Sequence, residues 1–157
     1  MPREKDVYLL HHLRNNSRDT LTNISKKMEI PVTTVYDRLK VNEKKFVRRN
    51  TCLINFQNLG LNSVMYLAFK VSKNQIDEFE KFLNEHPNVN SAHKTDFENE
   101  YLLELISEDS SRANQFIMNA EKRFGIHKLH IYNVVKELQR EAILTKPNHV
   151  KEFSTSV

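Results

Sequence analysis

The sequence predicts an α+β protein in two parts, an N-terminal three-helix helix-turn-helix domain followed by a ferredoxin-like βαββαβ domain. Three observations carry this. Up to residue 46, apolar side chains recur at helical spacing, interrupted by Asn15-Asn16-Ser17 and by Glu29-Ile30-Pro31. From residue 64 onward, segments of period two and period 3.6 alternate in the order strand, helix, strand, strand, helix, strand. The charge divides at the same place. Residues 1–50 hold twelve Lys and Arg against six Asp and Glu, and the remainder holds twelve against fourteen, so a +6 module precedes a −2 module in a chain of net charge +4.

Each element follows from its residues. Asp6 to Arg14 reads as a helix with Val7, Leu9, Leu10 and Leu13 toward one side. Leu21 to Met28 is a short second helix, with Asp19 or Thr20 as its N-cap and Leu21, Ile24 and Met28 inward. Pro31 keeps Ile30 out of the α region and so breaks the chain there. Thr33 or Thr34 is then expected to cap a third helix reaching about Lys45, with Val35, Leu39 and Phe46 inward. Val47 to Phe56 looks extended, and Gln57-Asn58-Leu59-Gly60 reads as a turn.

In the second part, the strands are expected at 64–71, 89–95, 101–107 and 126–135. Helices follow at 74–86 and after Asp109-Ser110, the second one closed by Gly125. Such a sheet carries helices on one face only. Apolar residues on both faces of its first and third strands predict that a second copy of the chain covers the other. The expected limits are 1–50 for the helix-turn-helix domain, 51–60 for a linker strand and turn, 61–137 for the βαββαβ dimerisation domain, and 138–157 for a polar C-terminal extension, read as an arm.

The residues also exclude several kinds of chemistry. Cys52 is the single cysteine, so neither an internal disulfide nor a cysteine zinc site is available. With two glycines in the chain, phosphate-cradling loops have little to build on. His127 and His130 are three apart on a strand and point to opposite faces. No nucleophile motif is present. No catalytic residue, metal ligand or cofactor is expected. No apolar run approaches bilayer length and the opening residues form no signal-peptide core, so the expectation is a cytoplasmic protein without membrane contact.

Two amphipathic helices, a short break and a third helix form the layout that sets a helix into the major groove of DNA. Thr33, Thr34, Tyr36 and Asp37 would then face base edges. Arg38, Lys40, Lys44, Lys45, Arg48 and Arg49 would neutralise phosphates. Periodicity and charge by themselves also fit a three-helix bundle with a solvated basic face.

Asp6-x-x-Leu9-Leu10-x-x-Leu13, Ser17-Arg18, Ile24-Ser25-Lys26-Lys27-Met28-x-Ile30, Thr33-Thr34-Val35-x-x-Arg38-Leu39 and the exit to Asn58-Leu59-Gly60-Leu61 occur in this order. In that order the segments resemble the N-terminal domain of the Lrp/AsnC (feast-famine) transcriptional regulators. The βαββαβ part is similar to their dimerisation and effector (RAM) domain, and the match runs from residue 6 to about 137. The resemblance implies a sequence-specific DNA-binding regulator acting on pseudo-palindromic duplex sites as a homodimer, or as a tetramer or octamer, and modulated by a small effector. It places the effector segment at Thr95, Asp96, Glu98 and Glu100. There Asp96 replaces the family's glycine in a longer loop, so weak binding of ordinary amino acids is expected. Further departures are Glu29 where the family often has glycine, Pro31-Val32 for Ser-Pro, Asn42 for leucine, and a recognition-helix exit one residue shorter. Two alternatives stand beside this reading: an Lrp/AsnC-like decarboxylase of the haem pathway (siroheme type), and an interaction module that has lost DNA binding.

Overall fold

A computed structural model describes residues 3–97 and 100–154. It falls into two compact units. One is formed by the chain up to Leu53 together with the chain from Leu138 onward, the other by Ile54–Glu137.

The first unit contains α1 (Glu4–Asn15), α2 (Leu21–Met28) and α3 (Val32–Lys45). Thr20 caps α2, its hydroxyl accepting from the Asn23 N–H at 3.2 Å. After α2 the chain turns at Glu29, which takes φ 54, a left-handed conformation that costs a non-glycine residue about 1 kcal/mol. Ser25 Oγ donates to the Ile30 carbonyl at 2.6 Å and holds this turn closed. Neither Thr33 nor Thr34 caps α3. The helix starts at Val32, and Pro31 supplies a backbone already at φ −56. Leu9, Ile24 and Val35 form the core between the helices, with Leu13, Leu21, Met28, Ile30 and Leu39 packed around them. Phe46, expected inside, is exposed at the end of α3.

The C-terminal extension is no arm over its described length. Its last helix, α6 (Pro147–Phe153), packs against α1 and buries Val150 completely. The segment before it runs along the same helix. His11 Nδ1–H donates to the Leu144 carbonyl at 2.7 Å, Asn15 Nδ2 donates to the Thr145 carbonyl at 3.1 Å, and Arg14 pairs with Glu141. These bonds fix carbonyls that would otherwise need water.

In the second unit, β1 (Ser63–Lys70), α4 (Ile76–Glu85), β2 (Val89–Lys94), β3 (Glu100–Ser107), α5 (Ser110–Phe124) and β4 (His127–Asn133) follow in the expected order. The sheet order is β2-β3-β1-β4, antiparallel throughout, with Leu67 opposite Leu103 and Ile131. Met65, Leu67, Phe69, Tyr101, Leu103 and Leu105 meet Phe79 and Leu83 of α4 and Ala113, Phe116, Ile117, Ala120 and Phe124 of α5. Asp109 caps α5 by accepting from the Arg112 N–H at 2.9 Å, and Gly125 ends it at φ 60. The positive φ favours glycine at Gly125, and a Cβ there would also stand 2.6 Å from Ser72 Oγ, so that hydroxyl would have to turn away.

The linker is not a strand. Residues 47–56 carry no ladder, and the expected turn is a 3₁₀ turn at Gln57–Leu59 closed by Gly60 at φ 80. A strand needs a neighbouring strand for its N–H and C=O groups, and among the described residues none lies beside this segment.

Candidate nucleic-acid interface

The posture of α3 is set by a polar tie to α1. Asp6 Oδ1 accepts from Arg38 Nη1 at 2.7 Å and from Asn42 Nδ2 at 3.1 Å, and Asn42 Nδ2 also reaches the Arg38 carbonyl at 2.8 Å. Asn42 is fully buried and the ion pair is mostly so. Arg38, assigned to phosphate by the sequence, therefore acts as an internal brace. A charge-assisted pair of this kind is strong where water is largely excluded.

With Arg38 turned inward, the outer face of α3 consists of two rows at i, i+4 spacing. One runs Val32, Tyr36, Lys40, Lys44, the other Thr33, Asp37, Val41, Lys45, and all eight are exposed. Thr34 lies half-buried between them and the core. Lys40 Nζ stands 4.4 Å from the centre of the Tyr36 ring and Lys45 Nζ 5.3 Å from that of Phe46, both within cation–π range. Arg48 and Arg49 follow the helix end and are exposed. None of Lys40, Lys44, Lys45, Arg48 and Arg49 forms an ion pair among the described residues, so five cations remain for a polyanion. Three of the expected base-facing residues (Thr33, Tyr36 and Asp37) thus share one face with Lys40, Lys44 and Lys45, while Arg38 does not.

Sequence reasoning missed Val32 and Val41 as members of this face. It passed over Val32 because the helix was expected to begin later. It also missed the brace, whose signal was an acid on α1 and a base on α3, both at the edge of the apolar stripe.

At the expected effector segment, Thr95 N–H donates to the Glu100 carbonyl at 2.9 Å, and its hydroxyl accepts from the Phe97 N–H at 3.3 Å, closing the β2–β3 connection. Asp96 is exposed, Glu100 is half-buried at the start of β3, and Glu98 lies outside the described residues. Behind the loop, Glu80 accepts from Tyr101 Oη at 2.6 Å and from Lys94 Nζ at 2.9 Å. These two bonds, the tyrosine's first, hold its carboxyl below the usual range. No group of metal-binding side chains occurs among the described residues, and no described helix is long and apolar enough to cross a membrane.

No protein-family model matches the chain. Curated relatives do. An HTH-type transcriptional regulator of Pyrococcus abyssi is 24% identical over 147 residues, which is 92% of this chain and 98% of that protein. The HTH-type transcriptional regulator FL11 of Pyrococcus furiosus is 21% identical over 83% of this chain and 87% of its own. Among solved structures, a transcriptional regulator of Neisseria meningitidis in complex with L-Met superposes with a TM-score of 0.81 at 20% identity, covering 89% of this chain and 94% of that one. B. subtilis LrpC gives a TM-score of 0.80 at 16% identity over 88% and 97%. The chain has the Lrp/AsnC fold and is similar in sequence to HTH-type transcriptional regulators. In this fold α2 and α3 are the helix-turn-helix pair, and the four-stranded unit is the ferredoxin-like domain.

Proposed function

We propose that α3 reads base edges in the major groove and that two copies of the chain bind a pseudo-palindromic duplex, with half-sites about one helical turn or a multiple of it apart. The observation that carries this reading is the division of labour on α3. Arg38 and Asn42 are spent on Asp6, while Lys40, Lys44 and Lys45, with Arg48 and Arg49 just beyond, stand free. A helix that only filled a bundle would have no use for a cationic outer face continued past its own end. Thr33, Thr34, Tyr36 and Asp37 lie toward the end that enters the groove. The five free cations neutralise flanking phosphates.

The copies pair through the 61–137 domain, whose sheet face away from α4 and α5 carries Val64, Tyr66, Ala68, Leu102 and Ile106 around Glu104. Further assembly to a tetramer or octamer follows the same fold. A small effector would act at Thr95, Asp96, Glu98 and Glu100, with Asp96 disfavouring ordinary amino acids. The L-Met complex of the Neisseria regulator supports a small-molecule site on this fold.

The test is duplex affinity against salt. Lys40→Ala with Lys44→Ala should weaken binding to all sequences alike and flatten the dependence of log affinity on log salt by about one unit per lost phosphate contact. Unchanged affinity and slope would remove α3 from the interface.

A further inference from the structure

The groove-facing chemistry of α3 is unusual in what it lacks. Guanine is read mainly by arginine or lysine and adenine by asparagine or glutamine, through paired hydrogen bonds at the base edge. The one arginine of α3 is bonded to Asp6, and its one asparagine is buried and bonded to Asp6 and to the Arg38 carbonyl. Lys40 projects over the Tyr36 ring. Besides Asp37 and the lysines, two of which lie in its last turn, what the outer face presents is carbon. Val32 is 41% exposed, Tyr36 46% and Val41 61%, and Thr33 adds a methyl group beside them. Single exposed apolar residues are ordinary. Here, however, Val32 and Tyr36 are consecutive members of one i, i+4 row at the leading end of the helix, and neither is needed by the Leu9, Ile24, Val35 core.

Resting on the reading of α3 as the base-reading helix, we propose that Val32 and Tyr36 recognise the 5-methyl groups of thymine, so that the selected half-site carries thymines beneath them. The methyl group is the one apolar mark that a base pair shows in the major groove. Four residues of helix advance about 6 Å, close to two base-pair steps, so both side chains address one short thymine-bearing stretch. Asp37, one residue after Tyr36, adds discrimination at a neighbouring base. A carboxylate accepts from the amino group of cytosine and repels the N7 and O6 acceptors of guanine, so guanine on the contacted strand is disfavoured.

The experiment uses the full chain and a duplex it enriches from a random-sequence library. Each thymine of that duplex is replaced in turn by deoxyuridine, which keeps every hydrogen-bonding group and removes only the methyl. The expected result is a loss of about fourfold at one or two thymines per half-site, the weight of one buried methyl group. In Val32→Ala that sensitivity should vanish at one of them, and in Val32→Thr, which keeps a γ-methyl, it should largely return. Val32 is exposed at the first position of α3, and alanine is the better helix former, so these variants fold. Equal affinity for thymine and uracil duplexes would overturn the proposal. So would methyl sensitivity that survives intact in both Val32→Ala and Tyr36→Ala, since the methyl would then be read elsewhere. Failure to enrich any duplex would overturn it together with the reading of α3 on which it rests, and is distinguishable from both.

Discussion

The two units reach stability by different routes. The Ile54–Glu137 unit buries fourteen side chains in one continuous core, in which Phe79 packs edge-on against Phe69, Tyr101 and Phe124 at 5.2–5.6 Å between ring centres. The helical unit has a smaller core centred on Leu9, Ile24 and Val35, with Val7 and Val150 also buried. It completes itself with the Asp6–Arg38–Asn42 tie and with a helix from the far end of the chain. Two helices laid on one face of a four-stranded sheet enclose a large core between them, whereas three short helices leave one side of α1 open. The difference teaches that in the helical unit polar braces and a distant segment supply what apolar area supplies in the sheet.

That contrast can be broken most severely in the sheet. Phe79→Ala should cost about 3–5 kcal/mol, the range for emptying an aromatic site in a packed core, and urea denaturation would record it as a lower midpoint. A cost below about 1 kcal/mol would mean that the ring cluster is not the source of that unit's stability.

Ending the chain after Glu137 should act on the other unit alone. It removes Val150, whose full burial contributes about 2 kcal/mol, along with the bonds from His11, Arg14 and Asn15. Amide exchange should rise in α1 while β1 and β3 stay as protected as before. Unchanged protection of α1 would show that the helical unit is self-sufficient. Next in size is Asp6→Ala, which strands the Arg38 charge and one Asn42 donor at a cost of about 1–3 kcal/mol. Loss of duplex affinity should accompany it even though Asp6 faces no phosphate. If affinity survived at full folding, the brace would not set the posture of α3.

The smallest effect sharpens the comparison through pH. His12 in the helical unit and His86 in the sheet unit both sit below the ordinary imidazole value of 6.5, chiefly because burial penalises the charged ring. For His12, the neighbouring His11 and Lys27 push the same way and Asp19 opposes them. The unfolded chain therefore binds more protons than the folded one just below pH 6.5, and stability present above that pH declines as the pH falls through it. Asp19 and Glu80 have carboxyls held below their usual range, so their contributions are lost only in more acid solution. Denaturation midpoints at pH 7.5 and 5.5 should differ in wild type and converge when His12 and His86 are both replaced by Gln. A difference that persisted in the double variant would assign the pH dependence to other groups.

Much of the fold was legible because each element announces itself locally. Thr20, Asp109 and Gly125 mark helix ends by chemistry that acts over three or four residues, and the alternation of Met65, Leu67 and Phe69 reports a half-buried strand wherever that strand pairs. The start of α3 was misplaced because Pro31 fixes a helical entry as effectively as a threonine cap does. The candidate interface was legible as a face and less so as individual roles.

What the sequence determined by itself is the set of elements, their order and the basic character of the first fifty residues, all consequences of side-chain period, capping and charge. Only the tertiary structure decided that Arg38 faces Asp6 rather than solvent, that residues 47–56 join no strand ladder, and that the last helix returns to α1. Each of these depends on which distant group comes within a few ångströms of which. Periodicity records that a side chain will be buried, and a charge that it will be solvated or paired, but neither carries the identity of the partner.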